Sequence, residues 1–231
     1  MFPFRDHNPS RRRPYVTWGL MAVNVVVFIL YMPLLNDPVA LSGFFDRWAM
    51  IPAEIMRGEA YHTTVTTMFL HGGYMHIAVN MLFLWIFGDN VEDAMGHWPF
   101  LIFYLLCGFG ADALHIFSNT ASVIPTVGAS GAIAGVMGAY LLLYPKAKVD
   151  VLLIIVVLVK LITIPAFVVL MAWMAFQIYG GIGSSGVGVA YWAHIGGFIV
   201  GLLLSVPLWL KLGGPDFWKR THYHPPHKPT F

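Results

Sequence analysis

Charge is what this 231-residue chain has little of: Asp, Glu, Lys and Arg make up 10% of it, against about 25% in ordinary soluble domains. A soluble globular protein is thereby excluded. Cysteine is nearly absent, Cys107 being the one copy, which rules out an intrachain disulfide and any thiolate zinc cluster. No stretch repeats in the manner of many transporters, and no His-Glu-x-x-His marks a membrane metalloprotease. The first apolar segment is longer than a signal h-region and no small-residue cleavage motif closes it, so it reads as a retained span. What fills the chain instead is apolar, at 58% hydrophobic residues.

The apolar stretches fall at about residues 15–35, 71–87, 98–118, 127–144, 151–179 and 191–210, each near the roughly 20 residues that cross a bilayer. The class expected is an all-α polytopic membrane protein, a bundle of six transmembrane helices over residues 15–211. Within the fifth stretch, Lys160 and Pro165 leave two options, one long kinked span or a short interfacial piece followed by a span. Arg5, Arg11, Arg12 and Arg13 precede the first span, and Lys211, Lys219, Arg220 and Lys228 follow the last. The positive-inside rule then puts both ends in the cytoplasm and makes the number of crossings even. Lys146 and Lys148 fall on the same side, and the membrane expected is a plasma or inner membrane.

Residues 1–14 and 212–231 read as short cytoplasmic tails, and 36–66 as a first outer loop whose Trp48, Met50, Ile51, Ile55 and Met56 suit the interface. The basic arms suit topology and anionic lipid, not nucleic acid. His222, His224 and His227 among prolines read as solvated tail residues or a weak metal site.

Three polar islands interrupt the apolar runs: His76 with Asn80, Gly128-Ala129-Ser130-Gly131, and His194 within Ala193-His194-Ile195-Gly196-Gly197. Each such group costs roughly 2–7 kcal/mol if buried without a partner. On the charge-derived topology, spans two, four and six begin on the outer side, so all three islands share one depth. Singly, each has a plainer explanation. Small residues such as Gly128 and Gly131 are common where membrane helices touch, His194 could be a satisfied core histidine, and His76 with Asn80 could hold helices together. Together they suit acyl transfer. A glycine-flanked Ser130 at a helix start sits beside free N–H groups that favour an oxyanion. His194, Gly197 and Gly201 share a helix face, as do Gly131, Gly135 and Gly138, and two such faces allow backbones close enough for a Ser–His hydrogen bond between helices. Ser130 is then the nucleophile and neutral His194 the general base. His76 and Asn80, four apart on one face, would join the Ser130 amide in an oxyanion hole. No acidic residue is expected at that depth, which points to a dyad.

From Met68-Phe69-Leu70-His71-Gly72-Gly73-Tyr74-Met75-His76 through Asn80, Phe87-Gly88-Asp89-Asn90-Val91-Glu92-Asp93 and Gly128-Ala129-Ser130-Gly131-Ala132 to Ala193-His194-Ile195-Gly196-Gly197, the sequence resembles the rhomboid intramembrane serine proteases. The resemblance implies six helices, Ser130 as nucleophile, His194 as base, His76 and Asn80 at the oxyanion, and no cofactor or metal. It implies cleavage, through an acyl-enzyme, of peptide bonds in or beside the transmembrane segments of other membrane proteins. Gly88, Glu92 and Gly96 match its Gly-x3-Glu-x3-Gly pattern, in which the glutamate is structural and bonds toward the first loop. The chain departs from the family at Tyr61-His62, where a Trp-Arg pair supplying the arginine partner of Glu92 is usual, and at Ala134, where an aromatic often packs on the histidine. The Gly-rich connection 180–188 reads as a mobile lid or a passive linker. Two other classes stay open: a non-catalytic rhomboid-like protein that binds membrane clients, and a haem or metal protein using His71, His76, His115 and His194.

Overall fold

The computed structural model describes residues 2–8, 10–155, 158–183 and 188–225. Six apolar helices build the bundle: α1 (Tyr15–Tyr31), α5 (Tyr74–Met95), α6 (His97–Ser118), α7 (Ser130–Leu143), α8 (Ala166–Gly183) and α9 (Tyr191–Lys211). Between α1 and α5 lie the short helices α2 (Pro38–Trp48), α3 (Pro52–Met56) and α4 (Thr63–Thr66), and α10 (Pro215–Thr221) follows α9. The chain is an all-α polytopic membrane bundle with one small sheet at one end.

By length and composition four helices can cross a membrane, α1, α6, α8 and α9, and a fifth if α5 is joined to the helical turns 63–69 across a 90° bend. A sixth crossing would have to be α7, whose 14 residues rise about 21 Å at 1.5 Å each, against the ~30 Å of a hydrocarbon core. Almost all of α7 is buried among its neighbours, so protein rather than lipid surrounds it. Its composition permits that. A side chain at Gly197 would run into the Gly131 carbonyl, and one at Gly201 into that of Gly135; small residues let α7 and α9 pack backbone to backbone.

The fifth apolar stretch divides. It is not one long kinked span but a short piece followed by a helix, and the short piece is an antiparallel hairpin, β2 (Lys148–Ile155) and β3 (Leu158–Pro165), with α8 starting only at Ala166. Val149, Val151, Ile154, Ile162, Thr163 and Ile164 are β-branched and favour strand, and Pro165 closes β3 at the helix boundary. The hairpin returns to its origin, for the Ala166 and Phe167 amides donate to the Ala147 and Pro145 carbonyls at 2.8 and 2.9 Å.

The N-terminal residues do more than trail into solvent. Phe2–Asp6 forms β1, antiparallel to β2 and completing the sheet order β1-β2-β3. Asp150 of β2 accepts from Arg5, His7 and the Thr163 hydroxyl, at 2.6 Å for the last. Asp6 accepts from Tyr140 of α7 and Asn90 of α5. The C-terminal segment docks as well, with Phe217 buried and the Trp218 indole donating to the Leu142 carbonyl at 2.9 Å.

Glu92 lies in the last turn of α5, at the opposite end from His76, and does not reach the first loop as the resemblance implied. It accepts from the Val16 and Thr17 amides at 2.9 and 2.7 Å, from the Thr17 hydroxyl at 2.6 Å, and contacts His97 Nδ1 at 2.5 Å. A carboxylate at the start of α1 meets the free N–H groups and positive dipole end that helix N-termini present. No arginine is needed. The pattern glycines fit this junction: a Cβ at Gly88 would press on Thr17 at 3.0 Å, and Gly96 turns the chain into α6 at φ +85°. His62 instead meets the Arg47 carbonyl at 3.1 Å.

Candidate active site

The structure brings Ser130 and His194 together, with Oγ and Nε2 2.8 Å apart. Ser130 opens α7 two residues after Gly128, whose φ of +140° disfavours any side chain, so the serine sits where the first N–H groups of α7 have no partner inside the helix. His194 stands in the first turn of α9. The glycine contacts of α7 with α9 set the spacing that lets the two side chains touch.

His76 Nδ1 accepts from the Gly72 amide at 3.2 Å, which in a neutral ring leaves the proton on Nε2. A Cβ at Gly128 would lie 3.0 Å from that Nε2 and 3.2 Å from Ser130 Oγ. The Nε2–H and the Ser130 hydroxyl therefore border one space above Gly128. Asn80 is buried one turn along, its amide nitrogen donating to the His76 carbonyl at 2.9 Å, so part of its donor capacity is already used. His71 stacks edge-on against His76, ring centroids 5.1 Å apart, and is fully buried.

Three residues absent from the sequence-based site belong to it. His194 Nδ1 lies 2.7 Å from the Gln177 amide oxygen, and its ring lies 5.6 Å from that of Trp173. Both come from α8. The third is Asp112 of α6, which borders a cavity of about 10 Å³ beside Ser130, Thr126 and Gly128, with one carboxyl oxygen buried and unpaired. That volume suits about one water molecule. An acidic residue does lie near the serine, contrary to expectation, but the partner of His194 is the amide. A lone Gln in the apolar run of α8, four residues after a Trp, was the available signal.

Among the described residues no three His, Cys, Asp or Glu side chains are grouped to hold a metal ion. His115 pairs with the Thr126 hydroxyl at 3.0 Å, and the set His71, His76, His115 and His194 does not converge on one point. Of the Gly-rich connection, residues 184–187 lie outside the described residues.

A membrane bundle with a serine hydrogen-bonded to a histidine at paired helix starts defines a class, and comparison with known proteins gives the family. The rhomboid domain pattern matches residues 58–211, and the chain belongs to the rhomboid family. It is 34% identical over 209 residues to the rhomboid protease GluP of Bacillus subtilis, covering 90% of this chain and 37% of that protein. It is 27% identical over 198 residues to the mitochondrial rhomboid protein 1 of Saccharomyces cerevisiae, covering 81% and 51%. With the chloroplastic rhomboid-like protein 11 of Arabidopsis thaliana it shares 31% over 190 residues, covering 79% and 64%. The chain thus spans between about a third and two thirds of the length of these relatives. Some are named for mitochondria or chloroplasts, so the family does not select a plasma or inner membrane.

Proposed function

We propose that this protein is an intramembrane serine endopeptidase that cleaves peptide bonds in or near the transmembrane segments of other membrane proteins. The observation that carries the reading is the 2.8 Å contact of Ser130 Oγ with His194 Nε2 at a helix start. Ser130 attacks the scissile carbonyl carbon and its proton passes to His194 Nε2. The oxyanion is met by the Ser130 amide and the His76 Nε2–H, with Asn80 beside them. Collapse returns the proton to the leaving amine and leaves an ester on Ser130. Water then attacks that ester with His194 again as base, releasing the acid and restoring the hydroxyl. The partners are membrane-protein substrates and the surrounding lipid, with no cofactor and no metal in the chemistry.

Purified protein in detergent or liposomes tests this against a model transmembrane substrate. Ser130→Ala and His194→Ala each bring cleavage to background, a loss on the order of 10⁴ or more, while leaving a folded protein. A serine-reactive isocoumarin or fluorophosphonate labels Ser130, read by mass spectrometry of the peptide, and a chelator leaves activity intact. Cleavage by Ser130→Ala at near the original rate defeats the mechanism. A folded wild type that binds membrane clients but is neither labelled nor active is the non-catalytic binder. Activity abolished by chelation and restored by zinc makes it a metal protein.

A further inference from the structure

His194 is held from two sides by one helix. Its Nδ1 meets the Gln177 amide oxygen at 2.7 Å, and its ring packs 5.6 Å from Trp173 at a 37° tilt. Gln177 is itself buried at 4% exposure, and a buried amide in an apolar helix needs such a partner. Trp173 and Gln177 are four residues apart on α8 and so share a face. At residue 134 of α7 stands a buried alanine, too small to cover an imidazole ring.

We propose that Gln177 and Trp173 are positioning residues for the base, Gln177 fixing the His194 tautomer and Trp173 fixing the plane of its ring. This rests on the reading of His194 as general base. An amide oxygen accepts and cannot donate, so it selects the tautomer with the proton on Nδ1 and leaves the Nε2 lone pair free toward Ser130. When the ring takes the serine proton, the same oxygen remains a partner to the N–H of the imidazolium. A glutamine does this without a buried charge, which in an apolar helix would carry a large desolvation cost. Trp173 covers one face of the ring and limits rotation that would carry Nε2 off the serine. Because both contacts come from α8, a displacement of α8 alone loosens the base while Ser130 stays in place on α7.

The test combines a spectroscopic and a kinetic readout on the full chain in detergent. Histidine labelled with ¹⁵N reports the tautomer, with His194→Ala assigning the signal. The wild type at neutral pH is expected to show Nδ1–H, and Gln177→Met, which keeps the length and removes the acceptor, is expected to show a mixture. In Gln177→Met kcat falls roughly 10- to 100-fold, the range that one hydrogen bond to a charged group accounts for, and KM stays within about twofold. Gln177→Glu restores the acceptor and places a carboxylate at Nδ1, so the acid limb of the pH profile moves up by about one pH unit or more. The titratable neighbours in the wild-type site, His76 and His115 around His194 and Asp112 at the cavity beside Ser130, are unchanged in every variant. Trp173→Phe keeps most of the activity and Trp173→Ala loses it in kcat. A wild type with the proton on Nε2, or Gln177→Met with unchanged tautomer and kcat, overturns the proposal. If Gln177→Met fails to fold, the Gln177→Glu arm decides, an unshifted acid limb counting against it. A wild type with the Nδ1–H tautomer, converted to a mixture by Gln177→Met, but with no cleavage and no labelling, refutes the protease reading and leaves the positioning of His194 standing.

Discussion

In the proposed mechanism His76 donates from Nε2, because the Gly72 backbone amide, just before α5, occupies its Nδ1. Loss of a single oxyanion donor in a characterised serine protease costs on the order of 10²–10³ in turnover, and His76→Ala is expected to fall in that range with little change in KM. Asn80→Ala should cost less, about tenfold, as for one ordinary hydrogen bond, because its amide already donates to the His76 carbonyl. Steady-state kinetics on a transmembrane substrate separates the two, and unchanged turnover in both variants rejects the oxyanion assignment. These residues were legible in the sequence because each is a polar interruption at the start of an apolar run. Gln177 and Trp173 were not. They lie inside an apolar run with no marker of which way they face, and the run from Val151 left open where its helix begins, which is Ala166. Asp112 escaped for a related reason, since its depth in α6 depends on a helix end that charge counting does not fix.

Two junctions at one end of the bundle join elements through carboxylates. Glu92, 1% exposed, gathers two backbone amides and a hydroxyl from the start of α1 and meets His97. Glu92→Ala would strand those buried donors, and an expected loss of about 3–5 kcal/mol appears as a lower midpoint of thermal unfolding in detergent, with Glu92→Gln falling between. The second junction docks β1 on β2. The Thr163 hydroxyl foremost, then His7 and Arg5, hold the Asp150 carboxyl down to about 2 against its usual 3.8. A carboxyl lowered on docking supports the docked strand above its ordinary pKa and loses that support as pH falls from about 4 toward 2. Asp6 has the opposite sign, because burial raises it, so its contribution is present in acid and declines as pH rises through the raised value. Asp150→Asn is therefore expected to remove the acid-side loss and leave the weaker trend from Asp6. Hydrogen exchange of the Phe4, Arg5 and Asp6 amides between pH 2 and 6 measures it, and an acid-side loss persisting in the variant would refute the Asp150 linkage. The sheet was hidden in the sequence because an apolar run rich in Val, Ile and Leu suits a buried strand as well as a membrane helix, and because β1 pairs with residues about 145 positions away.

At the scale of the whole molecule, most basic residues and the site sort to opposite ends, Arg47 and Arg57 before α5 being the exceptions. β1, the hairpin, the junction of Glu92 with α1 and the docked α10 share one end, where Arg5, Arg11, Arg12, Lys146, Lys148, Lys219 and Arg220 cluster in the sequence. Ser130, His76 and His194 stand at the helix starts of the other end. By the positive-inside rule the expected orientation has the basic end in the cytoplasm and the site facing outward. Because β2 and β3 return to the end they left, the hairpin adds no crossing. The single cysteine makes the orientation testable, Cys107 being fully buried on α6. In a Cys107→Ser background, Asn119→Cys, exposed where α6 ends beside the site, is expected to react with an impermeant maleimide on right-side-out vesicles. Lys148→Cys, exposed at the start of β2, should react only after permeabilisation. The reverse pattern would turn the active-site end inward and leave the chemistry standing. Equal labelling of both positions would mean that α7 does not complete a crossing, and the bundle would then open both ends of α7 to one compartment.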